Sequence, residues 1–136
     1  PLTPVLGQVL HLEVQADGKD WSGWPAVLVS EKTNMIPDGN NRLILGATIE
    51  PGTDASNEAL KKMQNLNNHA PYWLKNSKIL TSWYGLRARP ANTSAPILKK
   101  LENGLIVATG HYRNGILLAP ASAEWVKEEI TKEEDN

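Results

Sequence analysis

Leu105-Ile106-Val107-Ala108-Thr109-Gly110-His111-Tyr112-Arg113-Asn114-Gly115-Ile116-Leu117-Leu118-Ala119-Pro120-Ala121-Ser122 places a continuous apolar run, a glycine-bounded polar turn and a second apolar run in succession. Leu105–Thr109 reads as a strand buried on both sides. From Ile116 onward, Leu118, Ala121, Trp125 and Val126 or Ile130 form the inner stripe of a C-terminal helix, with Lys127, Glu128, Lys132 and Glu133 on its outer face and a frayed acidic tail. Between them, glycines at 110 and 115 let the chain turn, and backbone N–H groups beside Ile116 and Leu117 open the helix. Such groups have no partner inside a helix and attract anionic or electron-rich oxygens. The spacing G-x4-G matches a phosphate loop, but Ile116 and Leu117 stand where lysine and serine or threonine are required, which excludes a nucleotide-triphosphate site. By pattern alone, an ordinary strand-to-helix connection is the commoner meaning. Against it, His111, Tyr112, Arg113 and Asn114 form a run of polar groups that a mere turn does not need and a ligand site uses for orientation.

Upstream, Gln8–Val14 alternates Leu10, Leu12 and Val14 with Val9, His11 and Glu13, the pattern of a half-buried strand. Ala16–Trp24 is polar and turn-prone, and Ala26–Ser30 resumes an apolar run, so a hairpin or meander is expected there. Pro37–Asn41 separates Asn34–Ile36 from a stronger strand at Leu43–Ile49, predicting a second hairpin. Thr53, Asp54 and Ser56 offer caps to a helix lined by Leu60, Met63 and Leu66 and reaching about Asn68. Pro71–Leu74 suggests a helical turn, Ile79–Leu86 a strand, and Ala88–Leu101 an irregular loop before a turn at Glu102–Gly104. The fold class expected is α+β, a mainly antiparallel sheet with two or three helices.

Composition narrows the function classes. The chain has 136 residues, 40% hydrophobic and 21% charged, enough for one core. Its 14 basic and 15 acidic side chains leave a net charge of -1, so nucleic acid and anionic membrane are not expected partners. The five tryptophans lack the basic interleaving of a base-stacking surface and read as core. There is no cysteine, which excludes disulfides and thiolate chemistry and fits a cytoplasmic location. No apolar run reaches the roughly 20 residues that span a bilayer. His11 and His69 read as surface residues, and no grouping has metal-ligand spacing. No nucleophile-elbow motif is present.

A second candidate is Trp83-Tyr84-Gly85-Leu86-Arg87. Alternation sets Trp83, Gly85 and Arg87 on one strand face, with space at Gly85 between two large groups. A guanidinium there can take a carboxylate by two parallel hydrogen bonds, and an exposed arginine over a sheet is the plainer reading. Arg89 offers the same chemistry closer to the loop.

Taken together, Pro4-Val5-Leu6-Gly7-Gln8, Leu45-Gly46-Ala47-Thr48-Ile49-Glu50, Gly85-Leu86-Arg87 and Gly110 through Pro120 resemble the D-amino-acid oxidase superfamily, and within it the glycine oxidases of thiamine biosynthesis. The motifs stand in the family's order and span nearly the whole chain; the last is long and specific. The resemblance implies an antiparallel sheet roofing a non-covalently bound FAD, with the terminal strand and helix returning to the dinucleotide-binding domain. On that basis 1–103 is a substrate-binding domain, and 104–136 belongs with the FAD domain. Arg87 would hold the substrate carboxylate and Arg113 a second position in the pocket, with Ile49 as pocket wall. Gly110, His111, Tyr112, Arg113, Asn114, Gly115, Ile116 and Leu117 would lie against the flavin ring. The implied substrate is a small amino acid or amine, the acceptor oxygen, and the product an imine with peroxide. A homo-oligomer is compatible with it.

Asn34 stands where related glycine oxidases carry a tyrosine over the substrate, which leaves the substrate open, and Leu6 stands where the family places arginine. No two of the ten glycines are separated by a single residue, so no G-x-G-x-x-G fingerprint is present. The FAD-binding half is therefore expected upstream of Pro1, and the isolated chain is expected to be inactive. The competing readings are a D-amino-acid dehydrogenase or other amine oxidase of the same superfamily and, from another class, a stand-alone sheet module without chemistry.

Overall fold

The computed structural model describes residues 1–15, 23–39, 41–102 and 104–134. Ala16–Ser22 of the expected turn over Ala16–Trp24, Asn40 and Asn103 of the turns expected at Pro37–Asn41 and Glu102–Gly104, and the end of the acidic tail, Asp135–Asn136, lie outside them. The described elements are β1 (Leu2–Glu13), β2 (Leu28–Ser30), β3 (Thr33–Pro37), β4 (Arg42–Gly46), β5 (Glu50–Pro51), α1 (Asn57–Gln64), a 3₁₀ turn (Leu66–Asn68), α2 (Tyr72–Lys75), β6 (Lys78–Pro90), β7 (Ile97–Glu102), β8 (Leu105–Thr109) and α3 (Gly115–Glu134). This is the expected α+β class. The chain divides into two compact units, one of Leu6–Leu86, the other of Pro1–Val5 with Arg87–Asn136.

In the Leu6–Leu86 unit, alternation does what the sequence promises. Leu10 and Leu12 of β1 pair with Leu45 and Leu43 of β4, and Met35 of β3 continues the row beside Leu45. All five are buried, and Met63, Leu66 and Leu74 from the helical segments complete the cluster. The strand order β2-β3-β4-β1-β5, with β6 also on β1, corrects the hairpin expected between the first two strands: β2 pairs with β3 instead. Glu31 and Lys32 turn that hairpin with both φ angles positive, at 48° and 62°. Such turns usually announce themselves by Asn-Gly, so nothing in the composition revealed this one. β3 pairs antiparallel with β4 across the expected turn, but the second strand ends at Gly46, short of the expected Ile49.

Ser56 caps α1, its side chain accepting from the Ala59 N–H at 3.2 Å. The helix stops at Gln64, short of the expected Asn68. Leu66, Asn67 and Asn68 take positive φ of 42°, 51° and 76°, and left-handed backbone cannot continue an α-helix. Asn65 Nδ2 donates to Asn68 Oδ1 at 2.8 Å across the turn. Leu66, 3% exposed, has its side chain in the core, which offsets the unfavourable backbone.

A polar knot ties β1, β5 and α1. Gln8 Nε2 donates to Glu50 Oε1 and to the Ser56 carbonyl, both at 2.8 Å, and the Ser56 N–H donates to Glu50 Oε2 at 2.8 Å. Thr48 Oγ1 donates to the same carboxylate while accepting from the Gln8 N–H. Each buried polar atom in the knot has a partner, as burial demands. Leu6 is fully buried beside this knot, in register with Glu50.

In the other unit, two expectations are corrected. Ala88–Leu101 is not irregular throughout: β6 continues to Pro90, and Ile97–Glu102 forms β7 against β8. Propensity in ILKKLE is weak, and the pairing partner decides. Nor is β8 buried on both faces. Leu105 and Ala108 are exposed, and Ile106 and Val107 are half-buried. The apolar run belongs to a two-stranded ribbon packed against α3 on one side.

Candidate functional site

The loop from Gly110 to Leu117 has a defined shape with identifiable causes. Gly110 is buried at φ +67°, and a Cβ there would lie 3.0 Å from Pro90 Cγ and 3.1 Å from Leu2 Cδ2. Only glycine fits between the end of β6 and the start of β1. Tyr112 follows with φ 56°, its ring lying 5.7 Å from the Arg89 guanidinium. The Asn114 N–H donates to the His111 carbonyl at 3.1 Å and closes the turn. Among the described residues of the loop, His111 also reaches into the helix: its Nε2 is 2.7 Å from Ser122 Oγ.

The helix ladder begins where the Leu118 N–H donates to the Asn114 carbonyl at 2.9 Å. The N–H groups of Gly115, Ile116 and Leu117 precede that bond and have no carbonyl four residues back within the helix. No acidic residue occupies the first turn of α3, so the positive end of its dipole is not neutralised from within. Ile116 is 96% exposed and Leu117 77%, beside the exposed Arg113 and Asn114. Apolar side chains so fully in solvent, next to N–H groups that have no hydrogen-bond partner among the described residues, present a surface with both a face and a polar edge. Pro120 lies inside α3 and brings no N–H to the ladder.

Arg87 is half-buried near the end of β6, in the same compact unit as the loop and Arg113. Asn34 and Ile49 belong to the other unit. Asn34 is exposed, paired with Gly46 and with Val29, on the sheet face opposite the buried Met35. A Cβ at Gly46 would come within 3.0 Å of Val9 Cγ2, so that face is close-packed at β1 and β4. Ile49 lines a cavity with Thr33, Ala47, Thr48, Met63 and Asn67, and Asn34 is not among the lining residues.

Of the two histidines read as surface groups, His69 is exposed, and His11 is half-buried. His11 Nε2 lies 2.9 Å from Asp38 Oδ2, at an angle that does not make a hydrogen bond.

Sequence reasoning missed Ser122 and the Arg89–Tyr112 contact. Ser122 is 7% exposed, whereas Ala121, expected on the inner stripe, is exposed. The signal was available: Ser122 is four residues after Leu118 and shares its face.

The FAD dependent oxidoreductase (DAO) family matches residues 1–129. The glycine oxidase of Bacillus licheniformis is 36% identical over 131 residues, covering 93% of this chain and 34% of that protein. The bifunctional protein ThiO/ThiG of Synechocystis is 32% identical over 133 residues, 96% of this chain and 20% of that protein. Among solved structures, glycine oxidase from Geobacillus kaustophilus superimposes with a TM-score of 0.71 at 27% identity, over 95% of this chain and 35% of that one. The L-proline dehydrogenase of P. horikoshii, at 24% identity and a TM-score of 0.72, shares the fold. The chain spans about a third of the length of the glycine oxidases it matches, 28%, 34% and 29% for three of them. Matched from Pro1 almost to the end of α3, the chain belongs to the FAD dependent oxidoreductase family.

Proposed function

We propose that this chain is the substrate-binding and flavin-facing third of an FAD-dependent oxidase of glycine or another small amino acid or amine, acting in the cytoplasm and serving thiamine biosynthesis. The observation that carries the reading is the start of α3, where the N–H groups ahead of the helix ladder, Arg113 and Asn114 sit beside exposed Ile116 and Leu117. That donor set fits a planar ring with an apolar face and an electron-rich carbonyl edge. Residues 110–117 would hold the pyrimidine end of FAD, and residues 104–136 would pack with the FAD domain. When bound, FAD supplies the two-electron oxidation of the substrate Cα–N bond to an imine and passes those electrons to oxygen, forming peroxide.

The chain's own residues bind and orient. Arg87 takes the substrate carboxylate through its planar fork, and Arg113 adds positive charge to the pocket. Ile49 supplies an apolar wall and Asn34 a small polar contact. The N-terminal end of α3 favours negative charge developing on the ring edge. The proposal requires no general acid or base from this chain.

The complete polypeptide, including the region upstream of Pro1, is the material for the test. It is expected to purify yellow, to bleach anaerobically with glycine, D-alanine or sarcosine, and to release peroxide in air. Bleaching without peroxide would reassign it as a dehydrogenase, and an absence of bound flavin would leave the stand-alone sheet module. The isolated 136 residues are expected to bind FAD weakly and to be inactive; stoichiometric flavin on that segment would overturn this part of the proposal.

A further inference from the structure

We infer that Ser122 is a positioning residue for the flavin-facing loop: its buried hydroxyl holds the His111 imidazole and thereby sets where the N–H groups opening α3 point. The inference rests on the flavin reading proposed above and adds to it a residue outside the loop.

Three contacts brace the loop. Gly110 is wedged against Pro90 and Leu2, and Tyr112 sits under Arg89. Both hold the loop's first residues to the ends of β1 and β6. The His111–Ser122 bond, 2.7 Å long, reaches across eleven positions to α3 itself. A helical serine ordinarily turns its hydroxyl back to a carbonyl one turn earlier; here it reaches the loop's imidazole. A hydroxyl both donates and accepts, so the bond forms with either tautomer of the ring. The pair is thus a strut between the loop and α3. Cutting the strut frees the middle of a loop whose glycine and tyrosine already hold uncommon backbone angles.

The test uses the complete flavin-loaded polypeptide and sulfite, which adds to oxidised flavin more tightly the better the ring's pyrimidine edge is stabilised as an anion. Ser122→Ala is expected to raise the sulfite Kd about tenfold and lower kcat about as much, with the amino-acid KM changed less than about twofold, the signature of a loss confined to the transition state. Ser122→Thr, which keeps the hydroxyl, is expected to restore wild-type sulfite affinity. His111→Ala is expected to match Ser122→Ala, and the double variant to lose no more than either; should Ser122→Ala fail to fold, His111→Ala carries the same readout. Wild-type sulfite affinity in these variants, or additive losses in the double, would overturn the inference and leave the flavin reading standing. A complete wild-type polypeptide without flavin would remove both.

Discussion

Gln8 on β1 and Glu50 on β5, 42 positions apart in sequence, are joined by a buried 2.8 Å hydrogen bond from the Gln8 amide to the Glu50 carboxylate. The Glu50 carboxylate also accepts from Thr48 and from the Ser56 N–H, so one side chain gathers β1, the segment before β5 and the cap of α1.

Replacing that carboxylate by an amide turns one acceptor into a donor facing donors. Glu50→Gln is expected to destabilise the protein by about 1–3 kcal/mol, the cost of a buried polar group left unpaired. Urea unfolding of the complete polypeptide measures it, and an unchanged midpoint would show that the knot relaxes freely.

The same group makes stability depend on acid. Burial by itself raises the Glu50 pKa, but hydrogen bonds from Thr48, Gln8 and the Ser56 backbone together outweigh it and hold the carboxyl below its ordinary 4.5. A depressed carboxyl contributes stability fully present above the unfolded value and lost as pH falls through 4.5 toward the folded value. Unfolding midpoints taken from neutral pH down to the acid range are expected to fall more steeply below that point for wild type than for Glu50→Gln. Parallel curves would assign the acid sensitivity elsewhere.

Arg87 is expected to matter for affinity. Arg87→Ala in the complete enzyme should raise KM for carboxylate substrates on the order of 10²-fold, from the loss of a charge-assisted pair of roughly 2–3 kcal/mol. Arg87→Lys should fall between, since it keeps the charge and loses the fork. A wild-type KM in the alanine variant would remove Arg87 from the pocket.

Gly110 tests the shape of the loop. Any Cβ meets Pro90 and Leu2 at 3.0–3.1 Å and must also hold φ +67°. Gly110→Ala is expected to cost about 1–3 kcal/mol of stability and to lower flavin content in the purified protein, read by the ratio of visible to ultraviolet absorbance. A variant with wild-type stability and full flavin would show that the loop has room.

What the residues determined alone is what short-range physics sets. Alternation in Leu10, Leu12 and Val14 placed the core face of β1, Pro37–Asn41 marked the turn between β3 and β4, and Ser56 with Met63 located α1. The glycine-bounded run from Thr109 to Ser122 marked a strand, a loop and a helix. Tertiary structure decided the rest. Strand order depended on which faces pair, so β1 took β4, β5 and β6 instead of its neighbour in sequence. A buried core held Leu66 at a backbone angle that ended α1 early. β7 became a strand because β8 lay beside it, and Ser122 met His111 because α3 packs along that ribbon. Local pattern records how a segment prefers to bend and which side avoids water; which distant segment meets it is a property of packing the whole chain at once.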